Sequence, residues 1–334
     1  MNYIILFTTI ISINLIFFYN FTYISNKIKI YDKPDYHLKN HKESVSLLGG
    51  LVILINLYLI TFLLFILNIE DLFFVNNFIY IIIILSTAFY LIGLIDDLKN
   101  LNPNLKLILI ILAITIILNI FPDLSLRLIK ISFLDKNYYF NNYSSFFIIL
   151  SFALLLNALN MFDGINLQLI SFSIFIFCLF IAKGFVPIFF LLLLIPMIII
   201  GFLNFKNKIF LGDGGSFLIG AIMGSTFIYQ YKNYDNFLYG DEIFIILLVP
   251  ALDMLRLFVL RIINRKNPFK GDLNHLHHLV NDITHDKNKT IFLTLTLCIF
   301  PSICLILALK TFYILALNLI IYFSFLFYIR SKKK

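Results

Sequence analysis

Long apolar runs, separated by short polar stretches, follow one another through the whole chain. Eleven runs fall near 3–24, 47–68, 78–95, 105–120, 145–160, 166–183, 185–203, 216–231, 242–260, 291–309 and 312–329. A helical span needs roughly 20 apolar residues, whereas a membrane barrel shows alternation over about ten residues. The pattern therefore predicts an all-α integral membrane protein, a polytopic bundle of about eleven transmembrane helices forming a single membrane domain over residues 1–334.

Composition supports this class and excludes two others. Of the 334 residues, 61% are hydrophobic and only 13% are charged, against roughly 25% charged residues in soluble domains. Such a chain is too apolar for a water-soluble globule, and intrinsic disorder requires low hydrophobicity. Three cysteines, Cys178, Cys298 and Cys304, lie inside apolar runs, so they predict neither a disulfide framework nor a zinc site.

The basic residues predict the orientation. An odd number of spans places the termini on opposite sides, and the basic tail 330–334 favours a cytoplasmic C-terminus with the N-terminus outside. Nineteen of the 26 Lys and Arg then lie inside and six outside. The first run lacks a basic segment ahead of it, so we interpret it as a retained span. The formal charge of +8 thus reports topology, and no nucleic-acid partner is predicted.

Five polar clusters interrupt the apolar pattern. They cover residues 32–50, 93–106, 157–166, 210–216 and 267–278. All five fall on the predicted cytoplasmic side, although only Lys and Arg were used to orient the chain. Because one membrane face collects all of these clusters, we predict the functional site there.

Two of the clusters carry carboxylates suited to phosphate chemistry. Asp96 and Asp97 end a predicted span, and they are either solvated caps, a Mg²⁺ site or a base with a raised pKa. Keeping both ionised requires a cation nearby. Asp213 lies in a glycine-rich turn before a predicted helix, where main-chain amides favour phosphate and a carboxylate can hold Mg²⁺.

The remaining clusters carry amides, imidazoles and a buried charge pair. Asn157, Asn160 and Asp163 share one helical face, which must line a cavity or contact another helix because lipid cannot satisfy it. The run 275–278 contains three histidines; they fit donors to a pyrophosphate better than a zinc site, which one stretch cannot easily complete. Asp253 and Arg256, three residues apart, predict an intramembrane ion pair.

The five motifs, taken in order, resemble those of the polyprenyl-phosphate N-acetylhexosamine-1-phosphate transferases, glycosyltransferase family 4. They read Asp-Lys-Pro followed by Gly-Gly, Gly-Leu-Ile-Asp-Asp, Asn-Ala-Leu-Asn-Met-Phe-Asp-Gly-Ile, Phe-Leu-Gly-Asp-Gly-Gly-Ser and Asp-Leu-Asn-His-Leu-His-His. The resemblance implies ten or eleven transmembrane helices in the bacterial cytoplasmic (inner) membrane, with the active site facing the cytoplasm. It also implies transfer of a sugar 1-phosphate from a UDP-N-acetylhexosamine to undecaprenyl phosphate with release of UMP, dependent on Mg²⁺, with Mn²⁺ as a substitute.

The Asp before the His-x-His-His run resembles the branch that transfers GlcNAc-1-phosphate from UDP-GlcNAc, the first membrane step of cell-envelope polysaccharide synthesis. The alternative within the family is the phospho-MurNAc-pentapeptide transferase of peptidoglycan synthesis. Outside it, a polytopic transporter predicts midplane charges and an internal repeat, and an inactive relative would tolerate loss of Asp96, Asp97 or Asp213, which are all present. The oligomeric state stays open, with a homodimer as the candidate.

The resemblance assigns roles residue by residue. The catalytic residues expected from it are Asp96, Asp97 and Asp163, and the metal ligands are Asp213 and Asp97. The substrate-binding residues expected are Asn157, Asn160, Asn166, Phe210, Lys106, His275, His277, His278 and Arg265. Phe210 matches an aromatic that stacks on uracil. Asn166 departs from the family pattern, which commonly has Asp there, and this puts the preference for the sugar nucleotide in doubt.

Overall fold

The computed structural model describes residues 2–32, 43–69, 76–233, 238–268, 272–307 and 309–332. The chain divides into two compact units. Unit 1 comprises Met1–Ala113 and Ser173–Thr226, and unit 2 comprises Ile114–Phe172 and Phe227–Lys334. The part of the first polar cluster between 33 and 42 lies outside the described residues. The single domain expected over 1–334 stays a prediction.

Helices dominate both units. Within the described residues the helices are α1 Asn2–Tyr19, α2 Phe21–Ile28, α3 Gly49–Ile66, α4 Asn76–Lys99, α5 Pro103–Ile120, α6 Ser144–Phe162, α7 Gln168–Ala182, α8 Pro187–Phe205, α9 Gly212–Asn233, α10 Gly240–Ile246, α11 Leu248–Ile263, α12 Leu276–Thr284, α13 Lys287–Ile306 and α14 Thr311–Lys332. Their apolar sequences need no partner strand, because a helix satisfies its own main-chain polar groups.

The strands are short and form two antiparallel pairs. In unit 1, β1 (Tyr31–Asp32) pairs with β2 (Val45–Ser46). In unit 2, β3 (Leu128–Ile131) pairs with β4 (Lys136–Tyr139), with Leu128 opposite Tyr139. The second pair lies in the connection between α5 and α6.

Eight of the described helices are long and apolar enough to cross a membrane, and the pair α10 and α11 brings the number to nine if it is one bent span. Each of the eleven predicted runs coincides with a helix or with this pair. The two runs outside those nine are α7, which has only 15 residues, and α9. The all-α polytopic membrane architecture is confirmed, while the number of spans and their orientation stay predictions.

The run predicted as one span near 242–260 is broken in the structure. Helix α10 ends at Ile246 and α11 starts at Leu248, with a bend of 75° between them. Pro250 explains the break, because it has no N–H to donate to the carbonyl of Ile246 and its ring crowds that carbonyl. The hydropathy pattern alone does not reveal this bend, since every residue at the break is apolar.

Candidate active site

An acidic centre in unit 1 gathers four charged side chains from three helices: Asp96, Asp97, Lys106 and Asp213. Asp96 and Asp97 lie in the last turn of α4, Lys106 in the first turns of α5, and Asp213 in the first turn of α9. The structure thus brings together the paired carboxylates and the Asp of the glycine-rich turn, which lie more than a hundred residues apart in the chain.

The ammonium of Lys106 joins two of the three carboxylates. Its Nζ donates to Asp96 Oδ2 at 2.6 Å and to Asp213 Oδ2 at 2.5 Å, and it lies 4.7 Å from the ring centroid of Phe217. The other oxygen of Asp96 accepts the N–H of Leu101 at 2.7 Å. The side chain of Asp213 is 32% exposed, against 13% for Asp96, so Asp213 is the carboxylate more open to a ligand.

Asp97 has a different positive partner, the N-terminus of α9. Its Oδ1 accepts the N–H of Asp213 at 2.9 Å and its Oδ2 accepts the N–H of Gly214 at 3.1 Å. The sequence predicted that these amides would favour a substrate phosphate; in the structure, Asp97 takes up two of them. A carboxylate is stabilised at a helix N-terminus by the exposed N–H groups and the helix dipole. Asp96 therefore faces the ammonium of Lys106, and Asp97 faces the N-terminus of α9. Two adjacent carboxylates need such positive partners to stay ionised.

Glycines allow α4 and α9 to approach this closely. A Cβ on Gly93 would lie 2.5 Å from the main chain of Asp213, and a Cβ on Gly212 would lie 2.5 Å from Asp97 Oδ2. Gly212 also has φ +71°, a conformation that side chains with a Cβ rarely adopt. The glycine-rich turn is thus required by the contact with Asp97.

Phe210 lies just ahead of this turn and is fixed through its main chain. Its N–H donates to the Ser46 carbonyl at 2.8 Å, and its carbonyl accepts the N–H of Gly49 at 3.0 Å. These bonds join the segment before α9 to the start of α3 within unit 1. Phe210 as a whole residue is half-buried.

The donor set of the acidic centre suits a hard cation. Mg²⁺ prefers oxygen ligands and is commonly held by one or two carboxylates together with substrate phosphates. Within the described residues, no three His, Cys, Asp or Glu side chains form a group that could hold a metal by themselves. An ammonium already lies between Asp96 and Asp213. The carboxylates of Asp97 and Asp213 are oxygen ligands of the kind that Mg²⁺ prefers, and the other ligands would have to come from substrate or water.

A histidine centre in unit 2 consists of His275, His277, His278 and Asp253. The imidazoles of His275 and His277 stack with centroids 5.5 Å apart, and those of His277 and His278 lie 4.3 Å apart. Asp253, in α11, approaches this group with Oδ2 3.6 Å from His275 Nδ1. The ion pair expected between Asp253 and Arg256 is present at 2.6 Å.

Burial makes this centre unlike the acidic one. His277 is 2% exposed, and its Nε2 has no hydrogen-bond partner in the described part of the chain. Burial and the neighbouring imidazoles of His278 and His275 lower the pKa of His277 well below its ordinary value. Burial and His275 likewise lower the pKa of His278. The neutral forms of His277 and His278 are therefore favoured, and a neutral imidazole can still donate a hydrogen bond to an anion.

The third polar cluster also lies in unit 2. The imidazole of His277 packs directly on Gly164, where a Cβ would overlap the ring. Asp163 follows the last residue of α6, so the turn of Asp163 and Gly164 lies beside the histidine centre. Asn157 Nδ2 donates to the Ala153 carbonyl of its own helix at 2.7 Å, whereas Asn160 Nδ2 is buried without a partner among the described residues.

Two arginines lie near the end of α11: Arg261 in its last turn, and the expected Arg265 just after the helix ends at Ile263. Arg265 is exposed, with φ +55°. Arg261 Nε donates to Asp272 Oδ2 at 2.8 Å and its Nη1 to the Pro268 carbonyl at 2.8 Å. Burial raises the pKa of Asp272, but hydrogen bonds from Arg261 and from the Asn274 N–H outweigh it and lower the pKa. The sequence pattern does not reveal this pair, because Asp272 lies eleven residues after Arg261 and beyond the end of α11.

The comparisons with known proteins agree with these motifs. The profile described as "Glycosyl transferase family 4" matches residues 79–231, which include the acidic centre, Phe210 and the Asn157 face. Curated relatives match over most of the chain. The matched profile and the names of the relatives support a place for this chain in glycosyl transferase family 4. The histidine centre lies beyond the residues that the profile matches.

Three relatives illustrate the likeness. A Thermotoga maritima protein named "Undecaprenyl-phosphate alpha-N-acetylglucosaminyl 1-phosphate transferase" is 26% identical over 260 residues, covering 76% of this chain and 74% of the relative. The Escherichia coli (strain K12) protein of the same name is 24% identical and covers 84% and 77%. A Mycolicibacterium smegmatis "Decaprenyl-phosphate N-acetylglucosaminephosphotransferase" is 33% identical over 108 residues, 28% of this chain and 27% of that relative.

Proposed function

We propose that this protein transfers GlcNAc-1-phosphate from UDP-GlcNAc to undecaprenyl phosphate and releases UMP. The acidic centre carries the proposal, because its arrangement of one ammonium and three carboxylates is suited to phosphoryl transfer. That chemistry depends on positioning the reacting phosphates and on neutralising charge at the transferring group. The names of the relatives supply the acceptor and the sugar.

The residues of the acidic centre have different proposed roles, because each has different hydrogen-bond partners. Asp97 fixes the start of α9 through two main-chain N–H groups and so holds Asp213 in place. Lys106 offers a positive charge to an entering phosphate while it holds Asp96 and Asp213 together. The lipid phosphate is already an anion near neutral pH, so Asp96 and Asp97 position it more than they activate it.

Asp213 is the residue we propose as the principal Mg²⁺ ligand, since it is the more exposed of the two carboxylates on Lys106. Asp97 is the second, because each of its oxygens keeps a lone pair after accepting one N–H. A bound Mg²⁺ would supply charge neutralisation at the pyrophosphate.

In unit 2, the imidazoles of His275, His277 and His278 are proposed to donate hydrogen bonds to the pyrophosphate. The face of Asn157 and Asn160, with Asp163 and Asn166, is proposed to contact the sugar nucleotide. Arg265 is exposed in the segment between α11 and α12 and adds positive charge for the same anion. Phe210 is proposed to stack on uracil.

The orientation forms part of the proposal. Nineteen of the 26 basic residues lie on one side of the predicted membrane, and the positive-inside rule makes that side cytoplasmic. The site then faces the cytoplasm of a bacterial inner membrane, where the soluble UDP-sugar is available and the lipid acceptor is within reach.

The test is UMP release by the purified protein in lipid nanodiscs. The assay supplies undecaprenyl phosphate and Mg²⁺ with UDP-GlcNAc, UDP-GalNAc or UDP-MurNAc-pentapeptide in turn. We expect release that requires both the lipid and UDP-GlcNAc. Release with UDP-MurNAc-pentapeptide alone would assign the chain to the other branch, and no lipid-dependent release from any donor would contradict the proposed function.

A further inference from the structure

The carboxylate of Asp253 does more than pair with one arginine. It is 8% exposed and is contacted from three helices. Its Oδ1 accepts hydrogen bonds from Arg256 Nη2 at 2.6 Å and from Tyr322 Oη at 3.1 Å. Its Oδ2 accepts the N–H of Leu276 at 3.1 Å. An intramembrane ion pair would need only the first of these contacts.

The contact with Leu276 caps a helix. Leu276 is the first residue of α12, and its N–H has no partner within that helix. The residue before it, His275, makes no side-chain cap. Asp253, on α11, therefore supplies an acceptor that the sequence of α12 lacks.

Arg256 makes a further main-chain hydrogen bond on the other side of His275. Its Nη2 also donates to the Asn274 carbonyl at 2.7 Å. The ion pair of Asp253 and Arg256 thus holds the carbonyl of Asn274 and the N–H of Leu276, the main-chain groups that flank His275. We name this arrangement of Asp253, Arg256, Asn274 and Leu276 the main-chain clamp.

We propose that Asp253 is a positioning residue that acts on the reaction through His275, by means of the main-chain clamp. The imidazole of His275 is buried and stacks on His277, so a fixed backbone at 274–276 orients the imidazoles of the histidine centre together. A buried ion pair is weak support for stability by itself, which fits a role in orientation. The effect on turnover rests on the proposed function, whereas the clamp does not.

The first test is a double-mutant cycle of UMP release with Asp253→Asn, His275→Ala and the double variant. We expect Asp253→Asn to lower kcat about tenfold or more, and the double variant to be no slower than His275→Ala alone, because coupled residues are non-additive. Asp253→Glu, which keeps the carboxylate, should recover part of the loss. Losses that multiply in the double variant would overturn the proposal.

Asp241 provides a matched control. It is also 8% exposed and lies in unit 2, and its carboxylate accepts the N–H of Ser132 at 2.9 Å and the hydroxyl of Ser132 at 2.6 Å. Asp241→Asn should lower the Tm and show no coupling with His275→Ala. Equal coupling of both carboxylates to His275 would reduce Asp253 to a general structural role and overturn the proposal.

A second measurement does not depend on activity. Trypsin cuts after Arg265 and Lys266, in the segment that joins α11 to α12. Asp253→Asn and Arg256→Lys should both speed this cleavage, while Asp241→Asn should leave it unchanged. Arg256→Lys keeps the positive charge, and it can replace Asp253→Asn in this measurement if Asp253→Asn does not fold. Unchanged cleavage in both clamp variants would overturn the clamp, whereas a lack of UMP release by the unaltered protein would count against the proposed function alone.

Discussion

The acidic centre of unit 1 and the histidine centre of unit 2 differ in how exposed their polar groups are and in whether those groups have hydrogen-bond partners. In the first, the charged groups face each other and Asp213 stays partly open at 32% exposure. In the second, polar groups are buried, and nitrogen atoms such as His277 Nε2 have no hydrogen-bond partner among the described residues. Leaving a buried polar atom unpaired costs free energy, and a hydrogen bond to a ligand can recover that cost.

This difference predicts how variants of each centre will affect folding and turnover. Each carboxylate of the acidic centre accepts a hydrogen bond without a ligand, so variants of this centre should change chemistry more than folding. The histidine centre depends on close packing and on the main-chain clamp, so its variants should change folding and chemistry together. The following predictions test this division, from the largest expected effect to the smallest.

Asp213→Asn should give the largest loss. The variant keeps the size of the side chain and removes the charge proposed to hold Mg²⁺, so turnover should fall by about a hundredfold or more. The Tm should change little, because the residue is partly exposed. Asp286→Asn is the matched control: Asp286 caps α13 through the N–H of Asn288 at 2.8 Å, and Asn also caps well. Near-normal UMP release by Asp213→Asn across a Mg²⁺ titration would remove Asp213 from the metal site.

Gly164→Ala should destabilise unit 2. The added Cβ overlaps the ring of His277, and overpacking of this kind costs about 1–3 kcal/mol. Thermal unfolding checks this expectation. The double variant Gly164→Ala/His277→Ala should recover most of the loss, because it removes the ring that the methyl group meets. Gly164→Ala with an unchanged Tm would contradict tight packing between Gly164 and His277.

Phe210→Ala should weaken binding of the nucleotide. We expect the KM for the UDP-sugar to rise about tenfold while kcat changes less, since a stacking contact is present throughout the reaction. Phe205→Ala is the matched control, because Phe205 lies on the end of α8 and is exposed. A KM that is unchanged in Phe210→Ala would reject the stacking assignment.

The contribution of the histidine centre to the free energy of unfolding should decrease as the pH falls. The pKa of His277 lies below its ordinary value of 6.5, so the unfolded chain binds the proton more readily than the folded one below about pH 6.5, and stability falls as the pH falls. Asp272, whose pKa is also lowered, keeps its contribution above the ordinary carboxyl value and does not affect this window. Between pH 7.5 and 5.5, the Tm of the unaltered protein should fall more steeply with falling pH than the Tm of His277→Gln. Parallel slopes would contradict a lowered pKa for His277.

The sequence predicted the helices and the grouping of the acidic residues better than it predicted which main-chain groups each side chain contacts. Apolar runs and motif order were enough for the architecture and for the grouping of Asp96, Asp97 and Asp213. They did not reveal that Asp97 caps α9, because that contact depends on how closely Gly93 and Gly212 let two helices approach. Local spacing found the pair of Asp253 and Arg256 but not their hold on the main chain beside His275, 22 residues further along the chain from Asp253.

Isotope transfer tests the central claim most directly. UDP-GlcNAc carrying ³²P only in the phosphate attached to the sugar is supplied with undecaprenyl phosphate and the protein in nanodiscs. Transfer of the sugar 1-phosphate breaks the pyrophosphate, so we predict that the label moves into the lipid and that the released UMP is unlabelled. Label that stays in a nucleotide while sugar reaches the lipid would mean ordinary glycosyl transfer and would contradict the account.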